Sequence, residues 1–168
     1  MIPTDWSFRD HYNALKSELA RTAVQPGQPA DVAFFQAAGV VVHQLALLEA
    51  LAEDNGWEKA HLANMCRTPW VAGYSFGAAA AALEANGLER DDSKATSCLV
   101  TLQQIVFSSS DFDECMQISD TGAHDPVYAV AMAAGVQDVT RFCKEGEHDF
   151  LLANHVRSEF ITGDHGSS

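Results

Sequence analysis

The chain has 168 residues, and its 10 Lys+Arg stand against 23 Asp+Glu for a formal net charge of -13. A surface this acidic opposes a phosphate backbone and an anionic bilayer alike, so direct nucleic-acid binding and membrane association are disfavoured. With 47% hydrophobic and 20% charged residues the composition is that of a folded protein. A chain of this length buries roughly 70% of the surface its unfolded form exposes, enough for a core without disulfides or a structural metal.

The four cysteines, Cys66, Cys98, Cys115 and Cys143, are scattered through apolar stretches with no Cys-x-x-Cys pair. That pattern predicts reduced core thiols rather than a disulfide framework. Met1-Ile2-Pro3-Thr4-Asp5-Trp6 lacks the basic start and apolar run of a signal peptide. The charge-free windows Val32–Leu48, Thr68–Leu83 and Ala95–Ser110 are each shorter than a membrane span and read as buried helices. Together these features predict a cytoplasmic protein with no transmembrane segment.

In chain order, Phe8, Tyr12, Leu15 and Leu19 recur at steps of four, three and four, the spacing of one helix face. Pro26-Gly27-Gln28-Pro29 ends that helix, and a second starts near Pro29 with Asp31 in its first turn. The apolar stripe from Phe34 to Leu51 is wide, as for a central helix touching several neighbours, and Asp54-Asn55-Gly56 stops it. A shorter helix is expected from Trp57 to about Cys66. Thr68-Pro69 then pairs a capping hydroxyl with proline at the first helical position, opening a helix that ends at Asn86-Gly87. Asp91-Asp92-Ser93 offers caps for the next segment, in which Leu99–Phe107 is rich enough in branched residues to form either helix or strand.

Farther along, Asp111 is positioned to cap a short helix holding Phe112, Cys115 and Met116, and Thr121-Gly122 reads as a turn. Asp125-Pro126 repeats the cap-then-proline signal ahead of an apolar face of Val127, Val130, Ala131 and Ala134. Gly135 sits mid-pattern, where a kink or split is expected, and Gly146 ends the helix. A last helix carries Leu152, Val156 and Phe160, and residues 162–168 read as a frayed tail. Trp6, Trp57 and Trp70 stand near helix starts as anchors of the array. The fold predicted over residues 1–168 is all-α, one compact domain of about six to eight helices with short connections.

Gly73-Tyr74-Ser75-Phe76-Gly77 matches Gly-x-Ser-x-Gly and resembles the nucleophile elbow of the α/β hydrolases. The resemblance covers five residues plus the alanine-rich helix that follows. It implies a small serine hydrolase with Ser75 on a strand-to-helix turn, and Asp125 with His148 or His155 in that family's chain order. Against it, Pro69 leaves only three apolar residues of strand before the glycine, and the upstream segments read as helices. The same letters also describe a helix, on which Gly73, Gly77 and Ala81 fall in one row. Such a row lets a neighbouring backbone approach, at a cost of about 1 kcal/mol per glycine relative to alanine. On that reading the Ser75 hydroxyl bonds back to a carbonyl one turn earlier, and this is the reading expected here.

The stretch Ala95–Thr140 holds six acids and no Lys or Arg, and five of the six, Asp111, Asp113, Glu114, Asp120 and Asp125, lie close together. They are the candidate contacts for a basic protein partner, although Asp111 and Asp125 also have capping roles. No calcium-loop, His-Glu-x-x-His or paired Glu-x-x-His spacing is present, so no metal or cofactor is expected. His43, inside the apolar run of the second helix, is expected to be a core histidine satisfied by a hydrogen bond. The favoured function is a non-enzymatic acidic interaction module of the inhibitor, immunity or adaptor type. The Ser75 hydrolase and a helical small-ligand binder are the alternatives, and self-association through the small-residue helix is a further expectation.

Overall fold

The computed structural model describes residues 7–25, 27–89 and 93–166, and every regular element among them is an α-helix. The order is α1 (Phe8–Val24), α2 (Pro29–Asp54), α3 (Lys59–Met65), α4 (Pro69–Ala85), α5 (Ser93–Val106), α6 (Phe112–Ala123), α7 (Val127–Glu145) and α8 (Leu151–Gly166). The expected all-α array of about six to eight helices is what forms, and the segment open between helix and strand is helix α5 followed by Phe107 in a turn. The expectations for Trp6, for Asp91 and Asp92 as caps and for residues 167–168 lie outside the described residues.

Two helices make the centre. On α2, the long apolar stripe is buried on several sides, against α1, α4, α5, α7 and α8. On α4, almost every residue from Val71 to Leu83 is buried, because α2, α5, α6 and α7 surround it. A helix that is apolar all round has no solvent face to present and settles in the middle of the core. Helix starts follow local chemistry. Thr68 caps α4 by accepting from Val71 N–H with Pro69 at its first turn, and Asp111 caps α6 by accepting from Asp113 and Glu114 N–H. Gly146, at φ 75°, ends α7 in the left-handed conformation that glycine adopts without a Cβ penalty.

The start of α1 is held by a contact from another helix. Ser7 Oγ and Phe8 N–H both donate to the carboxylate of Glu49 on α2, at 2.7 and 2.9 Å. An acid there satisfies orphan donors and meets the positive end of the α1 dipole, which is why a glutamate can be buried in α2.

Three local expectations are corrected. Thr121-Gly122 lies inside α6 rather than in a turn, because Gly122 is buried against Pro69 and Ala72 of α4 and the close fit sustains the helix. Gly135 neither kinks nor splits α7, which runs unbroken from Val127 to Glu145. The inner face of α7 is Tyr128, Ala131, Gly135, Asp138 and Val139, whereas Val127 and Val130 point outward. Glycine at 135 rotates the helix so that its thinnest side meets α4.

Candidate functional site

Every residue from Pro69 to Ala85 is helical, so Tyr74–Phe76 is neither strand nor elbow. Ser75 is fully buried, and its hydroxyl donates to the Val71 carbonyl at 2.9 Å, one turn earlier. The other members of the imagined triad go elsewhere. Asp125 accepts from Val127 N–H at 3.0 Å, the His155 ring stacks on Trp70 at 3.9 Å between centroids, and His148 faces His43. Nothing in this arrangement activates the Ser75 hydroxyl or lets a substrate reach it.

The glycines around Ser75 have a different partner. A Cβ at Gly73 would collide with the Tyr128 carbonyl, and one at Gly77 with the Met132 carbonyl. From α7, a Cβ at Gly135 would strike the Tyr74 carbonyl and sit 2.9 Å from Ala78 N. The contacts advance one turn on both helices at once, so the two backbones touch along a seam, a geometry in which Cα–H groups face carbonyl oxygens. Ala81 continues the row and is buried.

Beside this seam lies a buried polar chain. Asp138 on α7 accepts from the Tyr74 hydroxyl at 2.6 Å and from Asp149 and Leu151 N–H at 2.8 and 3.0 Å. Gln44 on α2 donates to the Tyr74 hydroxyl at 2.7 Å and accepts from Ala153 N–H at 2.9 Å. Three otherwise orphaned N–H groups around the start of α8 are thereby satisfied by side chains from α2 and α7. Burial, with the Asp138 carboxylate alongside, holds the Tyr74 hydroxyl well above its ordinary pKa, so Tyr74 is a proton-holding strut. Burial likewise pushes the Cys66 thiol up to about 12 and Cys98 to about 11, which makes both unreactive at neutral pH.

The five acids divide by role. Asp111 caps α6, and Asp125 holds the first turn of α7. Glu114 is taken by Arg67 at 2.5 Å and by Ser109 Oγ at 2.8 Å, and Arg67 also donates to the Phe107 carbonyl at 2.9 Å. That cluster ties the start of α4 to the α5–α6 turn. Asp113 and Asp120 remain outward on α6. Beside them are Phe112, 49% exposed, and Met116, 37% exposed. The buried side of α6 is instead Cys115 and Gly122. At 100° per residue Phe112, Met116, Asp120 and Asp113 span one contiguous arc of about 100° on the outer surface. On the helical wheel Phe112, Cys115 and Met116 share one arc, so the sequence pattern alone groups them, and only the packing of α6 leaves Phe112 and Met116 outside. Gln44, Asp138 and Tyr74 gave less signal, because each is one polar group within an apolar row.

Comparisons of the chain with protein-family models, with curated proteins and with solved structures find no match.

Proposed function

We propose that the protein is a non-enzymatic interaction module, and that the outer face of α6 receives a basic, amphipathic helix of a partner protein. The observation that carries this reading is the pairing of exposed Phe112 and Met116 with outward Asp113 and Asp120. An apolar pair flanked by carboxylates suits a helix with one apolar edge and one Lys/Arg edge, and the surrounding negative field speeds its approach. The stretch 95–140 contains no Lys or Arg to oppose it. Inhibitors, immunity-type proteins and adaptors work through surfaces of this chemistry.

A synthetic amphipathic helical peptide bearing Lys and Arg along one edge and Leu along the other tests the reading by fluorescence anisotropy. Combining Asp113→Lys, Asp120→Lys and Phe112→Ser weakens binding by roughly tenfold or more at low salt. Reversing two acids elsewhere, Asp54→Lys and Glu84→Lys, changes net charge without touching α6 and has a much smaller effect. Equal losses for both sets would show attraction to net charge alone and overturn the assignment to α6. Glu114 is left intact, because its removal would strand Arg67.

A further inference from the structure

A cavity of about 400 Å3 opens between α1, α2 and the turn joining α7 to α8. Its walls include Tyr12 and Leu19 of α1, His43 of α2, Phe142 of α7, and His148 and Phe150 of the turn. Aromatic groups dominate. Tyr12 stacks on His43 at 4.8 Å between ring centroids, and Phe150 lies 4.3 Å from His148 and 5.7 Å from His43.

Hydrogen bonding assigns the histidine tautomers. Phe150 N–H donates to His148 Nδ1 at 3.3 Å, so that nitrogen carries a lone pair and the proton sits on Nε2. His148 Nε2 lies 3.3 Å from His43 Nδ1 and donates to it, which leaves the second proton of the pair on His43 Nε2. A metal bridging these facing nitrogens would need His148 Nδ1 protonated and aimed at the Phe150 N–H, donor against donor. No cluster of three metal-binding side chains exists among the described residues. Burial favours the uncharged form of both rings.

One donor on the cavity wall and one beside it, over the Tyr12 ring, are left over. Among the described residues His43 Nε2 has no hydrogen-bond partner, and it is not sealed from solvent. Lys16, one turn along α1 from Tyr12, has its ammonium 5.8 Å from the Tyr12 ring centre and no carboxylate partner among the described residues. Its charge is felt at His43. The one acid on the wall, Glu147, is engaged by Arg141 at 3.4 Å.

We propose that this cavity binds a small planar aromatic carboxylate, its ring among Tyr12, Phe142 and Phe150 and its carboxylate accepting from His43 Nε2–H and the Lys16 ammonium. The volume matches small-ligand sites, which pair apolar walls with a few convergent polar groups. The site is separate from the α6 surface and does not depend on it.

The probe is 2-naphthoate, with neutral 2-naphthalenemethanol as its counterpart, each titrated into the 15N-labelled protein and followed by NMR. Naphthoate shifts the amides of Gly39, Gly146 and Phe150 saturably, with Kd on the order of 100 µM to 1 mM, as expected for so few atoms. The neutral analogue binds roughly tenfold more weakly. Lys16→Met, an exposed substitution that leaves the core intact, weakens naphthoate about fivefold and leaves the neutral analogue unchanged. Shifts outside the cavity, no saturable shifts, or equal affinity for the two probes would each overturn the proposal.

Discussion

The α4–α7 seam and the outer face of α6 are opposites. Along the seam, the missing Cβ atoms of Gly73, Gly77 and Gly135 let two backbones touch, and the contact is buried. On α6, Phe112 and Met116 extend large apolar side chains into solvent beside two acids. The segment whose letters resemble a catalytic motif is the most tightly packed place in the fold. The segment with no motif at all offers the surface a partner can reach. Short motifs record which residue types occur together, and glycine spacing of four serves backbone contact as readily as it serves a nucleophile.

The sharpest way to break this contrast is to fill the seam. Gly77→Ala places a methyl group against the Met132 carbonyl, which cannot move without separating α7 from α4. It destabilises the fold by about 3 kcal/mol, even after the gain in helix propensity, and lowers Tm by roughly 6–12 °C. Urea or thermal unfolding reads this directly, and a variant as stable as the parent would show that the seam is loose.

A smaller effect comes from pH and sharpens the contrast between buried and exposed titratable groups. Burial lowers the pKa of His43 and His148 in the folded protein below the ordinary 6.5, so the unfolded chain takes up protons first. The groups facing them are Tyr12 and Lys16 at His43, and Asp138, Asp149 and Arg141 at His148. Stability is therefore full above pH 6.5 and falls as the pH drops from there toward the depressed folded values. Protonating His148 Nδ1 also costs the Phe150 N–H bond. The denaturant midpoint should drop between pH 7.5 and 5.5, and the drop should shrink in the His43→Gln, His148→Gln double variant. An unchanged drop in that variant would assign the acid sensitivity to other groups, His155 and the carboxylates.

The smallest effect belongs to the residue that draws the eye. Ser75→Ala exchanges one hydroxyl bond to the Val71 carbonyl for better helix propensity, and stability changes by no more than about 0.5 kcal/mol. A fluorophosphonate probe should label neither form. Labelling of the parent that disappears in Ser75→Ala would restore the hydrolase reading.

Local chemistry made most of the element boundaries legible. Thr68-Pro69 and Asp111 act on the next three residues whatever the rest of the chain does, and Gly146 stops α7 through its own φ. The apolar periodicity of α1 and α2 likewise carries through to burial, with Phe8 and Leu15 inside and α2 packed on several sides. Where reading along the chain failed, the deciding contact came from far away. Gly122 stays helical because α4 packs on it, and Val130 faces outward because Gly135 turns the thin side of α7 to Tyr74 and Ala78.

What the sequence by itself determined, then, is an acidic, all-helical chain, most of its helix starts and stops, and a row of small residues through Gly73 and Gly77. Those properties depend on side-chain charge, on capping groups and on the 3.6-residue period, all of which are local. Only the tertiary structure decided which helix the row would meet, which acids would be spent on caps and on Arg67, and that His43 would face His148 from 105 residues away. These are relations between distant segments, set by packing shape and the pairing of buried polar groups, and no spacing along one strand of sequence encodes them.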